Sequence, residues 1–410
     1  MMRTKTSFTA VAAALVLLCA AAAVASAQSG ATRPRRVVPV QPTPDPAATS
    51  RATTPAPNSR AGGAGVTGAA AQGTTQHAFA LLQQKQYDAA LKEAKQIAAA
   101  DPKNAEAWKI AGFAELELKQ YAEAASDLKR ALELQRAAGS PDPNTGDALI
   151  RAYMRAEQFD AALPLLVEAT TRKGAAPDAN LLYSRGLAEF KTNKPADAER
   201  SFAAAAKADP RHAYALYQLG YLAYNRKDMD AAINALNRAT LADAKITNAW
   251  TLLTYAYLNR AQAAGGTGPK ADADYLAAVR ASESLVKVSN DDTSNALHGQ
   301  ALIRAKQYPR AALVLERLAA KPEADGTTLY LLGFAHSRAK NFPKAAAALE
   351  RAAAKATDNA EIFRELGYVY ENLKDYTKAL AAYERGLRIA PDDADLKESA
   401  ERIRPFAKQP

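Results

Sequence analysis

The chain has 410 residues, 53 of them basic and 43 acidic, for a formal net charge of +10 at pH 7. Arg3, Lys5, Arg33, Arg35, Arg36, Arg51 and Arg60, set against Asp45, hold the excess in the first 73 residues and leave the rest near +4, which excludes a basic nucleic-acid face as its source. One cysteine, Cys19, excludes a disulfide framework, and the scattered His77, His212, His298 and His336 give no zinc-ligand spacing.

Residues 1–27 place Arg3 and Lys5 ahead of an apolar run that ends in Ala25-Ser26-Ala27. This is the three-part pattern of a secretory signal, and the run is too short and Ala-rich for a membrane span. A lipid-anchor signal at Cys19 is disfavoured by the bulky Leu18 before it and the apolar residues after it. Export is therefore expected, to the periplasm first, with the cell surface or secretion as alternatives. No transmembrane span is expected once the signal is removed.

Residues 28–73 are rich in Pro, Ala, Thr and Gly and show no apolar period. Such a stretch buries too little surface to offset its ordering entropy and reads as a flexible linker. Its basic start, Arg33 to Arg36, offers at most a weak contact with an anionic envelope polymer.

From about residue 71 the apolar pattern becomes helical and repeats. In the stretch 212–243, Leu216, Leu219, Gly220 and Ala223 recur at three- and four-residue steps; the period resumes through Ala232, Ile233, Leu236 and Ala239. Two helices joined by a tight turn follow, and neither buries its stripe alone. Aligned on the small residue that opens each second helix, the copies fall at Ala90, Ala124, Ala162, Ala198, Ala232, Ala278, Ala311, Ala345 and Ala379. Gly112, Gly186, Gly220, Gly299, Gly333 and Gly367 sit mid-helix, which implies close approach of the paired helices, with the opening alanine of the second helix meeting the gap.

The third and sixth copies depart from the pattern. Pro164 in the third is tolerable only in the first turn of its helix, and the insertions 135–142 and 261–273 read as loops, the latter Gly-rich and flexible. The equivalent positions of His298 and His336 suggest an approach between them, best explained by packing. Residues 394–410 suit a final capping helix, with Leu396, Ala400 and Ile403 as its apolar face.

In the last copy Phe363, Leu366, Gly367 and Tyr370 precede Ala379, Tyr383 and Pro391 at set spacings. That set resembles the tetratricopeptide repeat, and nine units fit over 74–393. The resemblance implies an all-α, right-handed superhelical α-solenoid of about nine hairpins. It also implies a non-enzymatic scaffold that binds a peptide or partner protein on a concave surface.

Carried over from the family, the first-helix groove positions give Tyr183 and Phe190, then Tyr214, Tyr217, Tyr221, Tyr224 and Asn225. They continue through Tyr255 and Asn259 to Tyr330, Phe334 and Arg338, and end at Arg364, Tyr368 and Asn372. Asn180 and Leu187 hold the same positions in the fourth unit. Tyr214, Tyr217 and Tyr224 are expected to face a ligand, while Tyr221, Tyr255 and Tyr368 divide between ligand contact and packing. The family's clamp for a chain-terminal carboxylate lacks its basic set here. A second reading of the aromatic surface stays open: sugar stacking in a cell-wall or glycan binder. No nucleophile, dinucleotide, phosphate-loop or metal signature occurs, so no catalysis, cofactor or metal is expected.

Overall fold

The computed structural model describes residues 74–172, 176 and 178–407. The expected signal and linker, residues 1–73, lie outside them. Nineteen α-helices and no strand occur among the described residues. In order they are α1 (Thr75–Gln83), α2 (Tyr87–Ala100), α3 (Ala105–Glu117), α4 (Tyr121–Ala137), α5 (Pro143–Arg155), α6 (Phe159–Thr171) and α7 (Ala179–Lys191). There follow α8 (Pro195–Ala208), α9 (Ala213–Asn225), α10 (Met229–Ala242), α11 (Thr247–Ala263), α12 (Pro269–Val288) and α13 (Asp292–Arg304). The last are α14 (Tyr308–Ala319), α15 (Gly326–Arg338), α16 (Phe342–Lys355), α17 (Ala360–Asn372), α18 (Tyr376–Ile389) and α19 (Ala394–Ala407).

Odd and even helices pair from α1 to α18 as nine hairpins, the fifth through Gly220 against Leu236, and α19 packs on the last. All nine aligned alanines, Ala90 through Ala379, have 0% exposure. The gap beside each mid-helix glycine is filled by the residue four positions after that alanine rather than by the alanine itself. A Cβ on Gly112 would lie 2.5 Å from Leu128 Cγ, and one on Gly220 2.5 Å from Leu236 Cγ. The alanine lets the helices close, and the larger side chain then fills the contact.

The turn within eight hairpins has one form. After the first helix, Lys85, Lys119, Glu157, Asn193, Lys227, Lys306, Lys340 and Lys374 take φ values between 56° and 63°. At Lys119 the N–H donates to Leu116 O (3.1 Å) and that of Gln120 to Glu115 O (2.8 Å), so the last carbonyls of the helix are satisfied. Six of the eight are lysines, whose charge suits a helix C-terminus. In the sixth hairpin Gly265 and Gly266 take this role, with φ 92° and 72°.

Both insertions differ from the loops expected. In the sixth hairpin α11 and α12 reach 17 and 20 residues, so only 264–268 remain as a turn. Likewise α4 runs to Ala137, and its buried Gln135 ties down the following link by donating to Thr145 Oγ1 (3.1 Å) and accepting from Asp142 N–H (3.3 Å). Pro164 also departs from expectation. It lies inside α6, past the first turn, where it removes the hydrogen bond to the carbonyl of Asp160.

The described residues form two compact units that divide within α9, 74–219 and 220–407. In the first, Leu128, Leu149 and Leu166 are almost fully buried in a core between α4 and α7 that Tyr153 and Leu132 extend. In the second, Leu302, Leu315, Leu349, Phe363 and Tyr383 anchor a core that Leu396, Ala400 and Ile403 of α19 complete. Burying each leucine is worth about 1.5–3 kcal/mol. No helix among the described residues is long and apolar enough to cross a membrane.

Candidate functional site

In the N-terminal unit the first helices of hairpins one to four, α1, α3, α5 and α7, line a groove of about 1260 Å³. Its apolar lining comes from Phe79 and Leu82 of α1, Phe113 and Leu116 of α3, Ile150 and Met154 of α5, and Leu181, Tyr183 and Leu187 of α7. Polar groups interleave them: Lys109 and Glu117 on α3, Asp147, Arg151 and Arg155 on α5, and Asn180 on α7.

Helix capping fixes part of this rim. Asp142 caps α5 by accepting from Asn144 N–H, and Asp178 caps α7 by accepting from the N–H groups of Asn180 and Leu181. Lys109 lies 2.8 Å from Glu106 and 3.4 Å from Asp142. Burial raises the Asp147 carboxyl above its usual range; Arg172 and Arg151 oppose the rise, and Asp178 and Asp142 add to it. The groove thus combines apolar side chains with interleaved charges of both signs that are already partly engaged. It can take up an apolar side chain while the interleaved polar groups fix orientation.

At the fourth hairpin Tyr183 is buried, its ring 5.8 Å from Phe202, 5.1 Å from His212 and 6.3 Å from Tyr214. Burial pushes its hydroxyl up to about 12. His212 accepts from Ala215 N–H at Nδ1 (3.1 Å), which leaves the proton on Nε2, 3.3 Å from Asn180 Oδ1. His212 is therefore a neutral cap for α9, and burial lowers its pKa. Phe190 is half-buried outside the groove.

The tyrosine stripe of α9 does not share one environment. Tyr217, expected to face a ligand, is 5% exposed and belongs to the core. Tyr214, Tyr221 and Tyr224 are half-buried, and Asn225 is exposed. Tyr224 accepts from Asn259 Nδ2 at 2.8 Å, and burial raises its pKa despite that bond.

Further along the C-terminal unit, Tyr255 and Tyr368 are exposed, whereas Tyr330 and Phe334 are buried. Arg338 lies 4.5 Å from the Phe334 ring and 5.2 Å from the Tyr368 ring, and donates to buried Glu365 at 3.0 Å. Ser337 donates to the other Glu365 oxygen at 2.5 Å. Arg364 pairs with Glu361 (3.0 Å) and with Asp393, and Asn372 donates to Tyr368 O (2.8 Å). The arginines and Asn372 are thus held by internal partners, and among these first-helix positions the aromatic side chains left exposed are Tyr255 and Tyr368.

His298 and His336 do not meet. Ser282 Oγ lies 2.9 Å from His298 Nδ1, and His336 Nε2 lies 3.2 Å from Glu316. Among the described residues no group of three His, Cys, Asp or Glu side chains is placed to hold a metal ion.

The groove of the N-terminal unit is only partly anticipated by the sequence-derived positions. Tyr183, Asn180 and Leu187 line it, but its larger part comes from hairpins two and three. The same first-helix count that gives Tyr183 and Leu187 in α7 gives Lys109, Phe113, Leu116 and Glu117 in α3. In α5 it gives Asn144, Asp147, Arg151, Met154 and Arg155, and all nine line the groove. The same spacing is present in α3 and α5, without the aromatic clustering of α9.

Fold and groove together define a helical-hairpin repeat protein of the interaction-scaffold class. The tetratricopeptide repeat model matches residues 75–143, 148–193, 183–249 and 330–394, more than half of the chain, and the chain belongs to that family. The unmatched span between 249 and 330 holds the sixth hairpin, with its lengthened helices, and the seventh.

Among solved structures, the chain is similar to YrrB, described as a TPR protein with an unusual peptide-binding site, at 16% identity; the match covers 50% of this chain and 99% of that one, with a TM-score of 0.42. The Cut9–Hcn1 hetero-tetramer of APC/C is 14% identical over 80% of this chain and 82% of that one, TM-score 0.36. A tetratricopeptide repeat protein from Parabacteroides merdae is 13% identical over 62% and 96%, TM-score 0.37. No curated protein matches the chain.

Proposed function

We propose that the chain is a non-enzymatic adaptor of the bacterial cell envelope that holds a peptide segment of a partner protein in the groove of its N-terminal unit. The observation that carries this reading is the groove itself, about 1260 Å³ lined by apolar side chains interleaved with charges of both signs, most of them from the same positions of successive first helices. Repeated positions suit an extended or helical ligand, because each hairpin offers one more step of the same contact. Export rests on the signal-like pattern of residues 1–27. In the C-terminal unit Tyr255 and Tyr368 offer a separate aromatic contact.

The test is in-cell crosslinking from a photoreactive residue in the groove, compared between the wild type and Phe113→Ala with Met154→Ala. Loss of specific captured proteins from the double variant, with its helical content and melting unchanged, is the expected result. An unchanged partner set rejects the groove as the site. Retention of the purified chain on insoluble cell-wall polymer, abolished by Tyr255→Ala with Tyr368→Ala, would instead favour the sugar-binding reading.

A further inference from the structure

Between the first two hairpins three charged side chains from three helices meet. Lys95 Nζ of α2 lies 3.0 Å from Glu115 Oε1 of α3 and 2.5 Å from Asp127 Oδ2 of α4. Glu115 is 2% exposed and Asp127 5%. Two buried carboxylates therefore share one ammonium, and the second oxygen of Glu115, Oε2, is buried with no hydrogen-bond partner among the described residues. A charge in that position is costly, because the oxygen is shut off from bulk solvent and a single ammonium serves both carboxylates. The Trp108 ring of α3 lies 5.7 Å from the same ammonium.

We propose that Lys95, Glu115 and Asp127 form a proton-controlled joint that sets how firmly the first hairpin, and with it the α1 wall of the groove, is held on the second. The proposal rests on the groove reading above, since Phe79 and Leu82 of α1 line that groove. With Glu115 protonated the cluster is one ammonium and one carboxylate, neutral overall. With Glu115 ionised it carries a buried net charge of −1, which α2 relieves by moving away and admitting water.

Burial first, and then the Asp127 charge, push the Glu115 carboxyl up to about 7, against the pull of Lys95. A carboxyl raised in this way contributes stability that is full below its unfolded value, near 4.5, and is lost as pH rises through about 7. The charged groups acting on it are Lys95 from α2 and Asp127 from α4. On the flanking α1 and α5, His77 is paired with Glu93 at 2.7 Å, and Asp147 and Arg151 face the groove.

Trp108 reports the joint in the full chain carrying Trp250→Phe, read without any ligand. Its emission is expected to titrate with a midpoint near 7, to be flat between pH 6 and 8 in Glu115→Gln, and to shift to lower pH in Asp127→Asn. Amide protection over residues 75–100, corrected for the intrinsic pH dependence of exchange, is expected to fall about tenfold between pH 6 and 8 in the wild type and not in Glu115→Gln, as one-proton linkage requires. A flat emission in the wild type overturns the proposal. So does a titration that survives Glu115→Gln, or one that leaves the amides of 75–100 unchanged. Failure of the Phe113→Ala, Met154→Ala crosslinking test would sink the groove reading and leave these measurements standing, so the two are separable.

Discussion

At Glu157 the chain puts a carboxylate in left-handed backbone, φ 56°, at the C-terminal end of α5, where the helix dipole already concentrates negative charge. Lys119 holds the same place after α3 with φ 62° and the favourable charge. Left-handed backbone costs an ordinary L-residue about 1–2 kcal/mol, and a charge of the wrong sign at a helix end adds a few tenths. Glycine removes both, at the expense of about 0.5–1 kcal/mol of chain entropy. Glu157→Gly is therefore expected to raise stability by about 1 kcal/mol, and Lys119→Gly by clearly less. Urea midpoints of the two variants decide it: a Lys119→Gly gain equal to or above that of Glu157→Gly would remove the dipole from the explanation. A tight turn at these places was legible in the sequence, but its left-handed residue was not, because lysine and glutamate are not turn formers; the conformation is imposed by the hydrogen bonds that end the preceding helix.

Within the last hairpin, α17 packs against α18 at Gly367. A Cβ there would sit 2.6 Å from Cδ1 of Tyr383, whose hydroxyl donates to Glu371 at 2.6 Å while Arg402 of α19 holds the same carboxylate at 2.7 and 2.9 Å. The ring is pinned at its far end and does not swing aside. Gly367→Ala is thus expected to destabilise by about 1–3 kcal/mol, overriding the gain of about 1 kcal/mol that alanine brings to a helix interior. Gly146 of α5 is the control, since nothing lies within 4 Å of a Cβ built on it, and Gly146→Ala is expected to stabilise by up to about 1 kcal/mol. Chemical denaturation of the two variants should move in opposite directions; movement in the same direction would refute close approach as the reason for the glycine. The six mid-helix glycines were legible in the sequence as a period. Which side chain fills each gap was not, because Leu128, Phe202 and Tyr383 are selected by packing in three dimensions.

For the molecule as a whole, the repeat period, the nine opening alanines and the hairpin count could be read from the chain, because one local pattern recurs every thirty-odd residues. Exposure along the groove positions could not. Tyr217 is 5% exposed and Tyr368 42%, though both occupy first-helix groove positions, since neighbouring hairpins determine how deeply each ring is covered. The same limit applied to the histidines, whose equivalent places gave them unlike partners. His298 faces Ser282 within the C-terminal unit, and burial holds its imidazole below the ordinary value of 6.5. A histidine depressed in the folded state contributes stability that is full above its unfolded value and is lost as pH falls through the folded one, so the loss begins below about 6.5. Asparagine keeps a polar atom near the Nδ1 position and takes no proton. His298→Asn should therefore lose less stability than the wild type between pH 7 and 5 in urea unfolding, even if it is less stable at pH 7. His336, also buried and depressed, keeps part of the acid sensitivity in both proteins. An equal or steeper acid loss in His298→Asn would show that protonation of His298 plays no part in it.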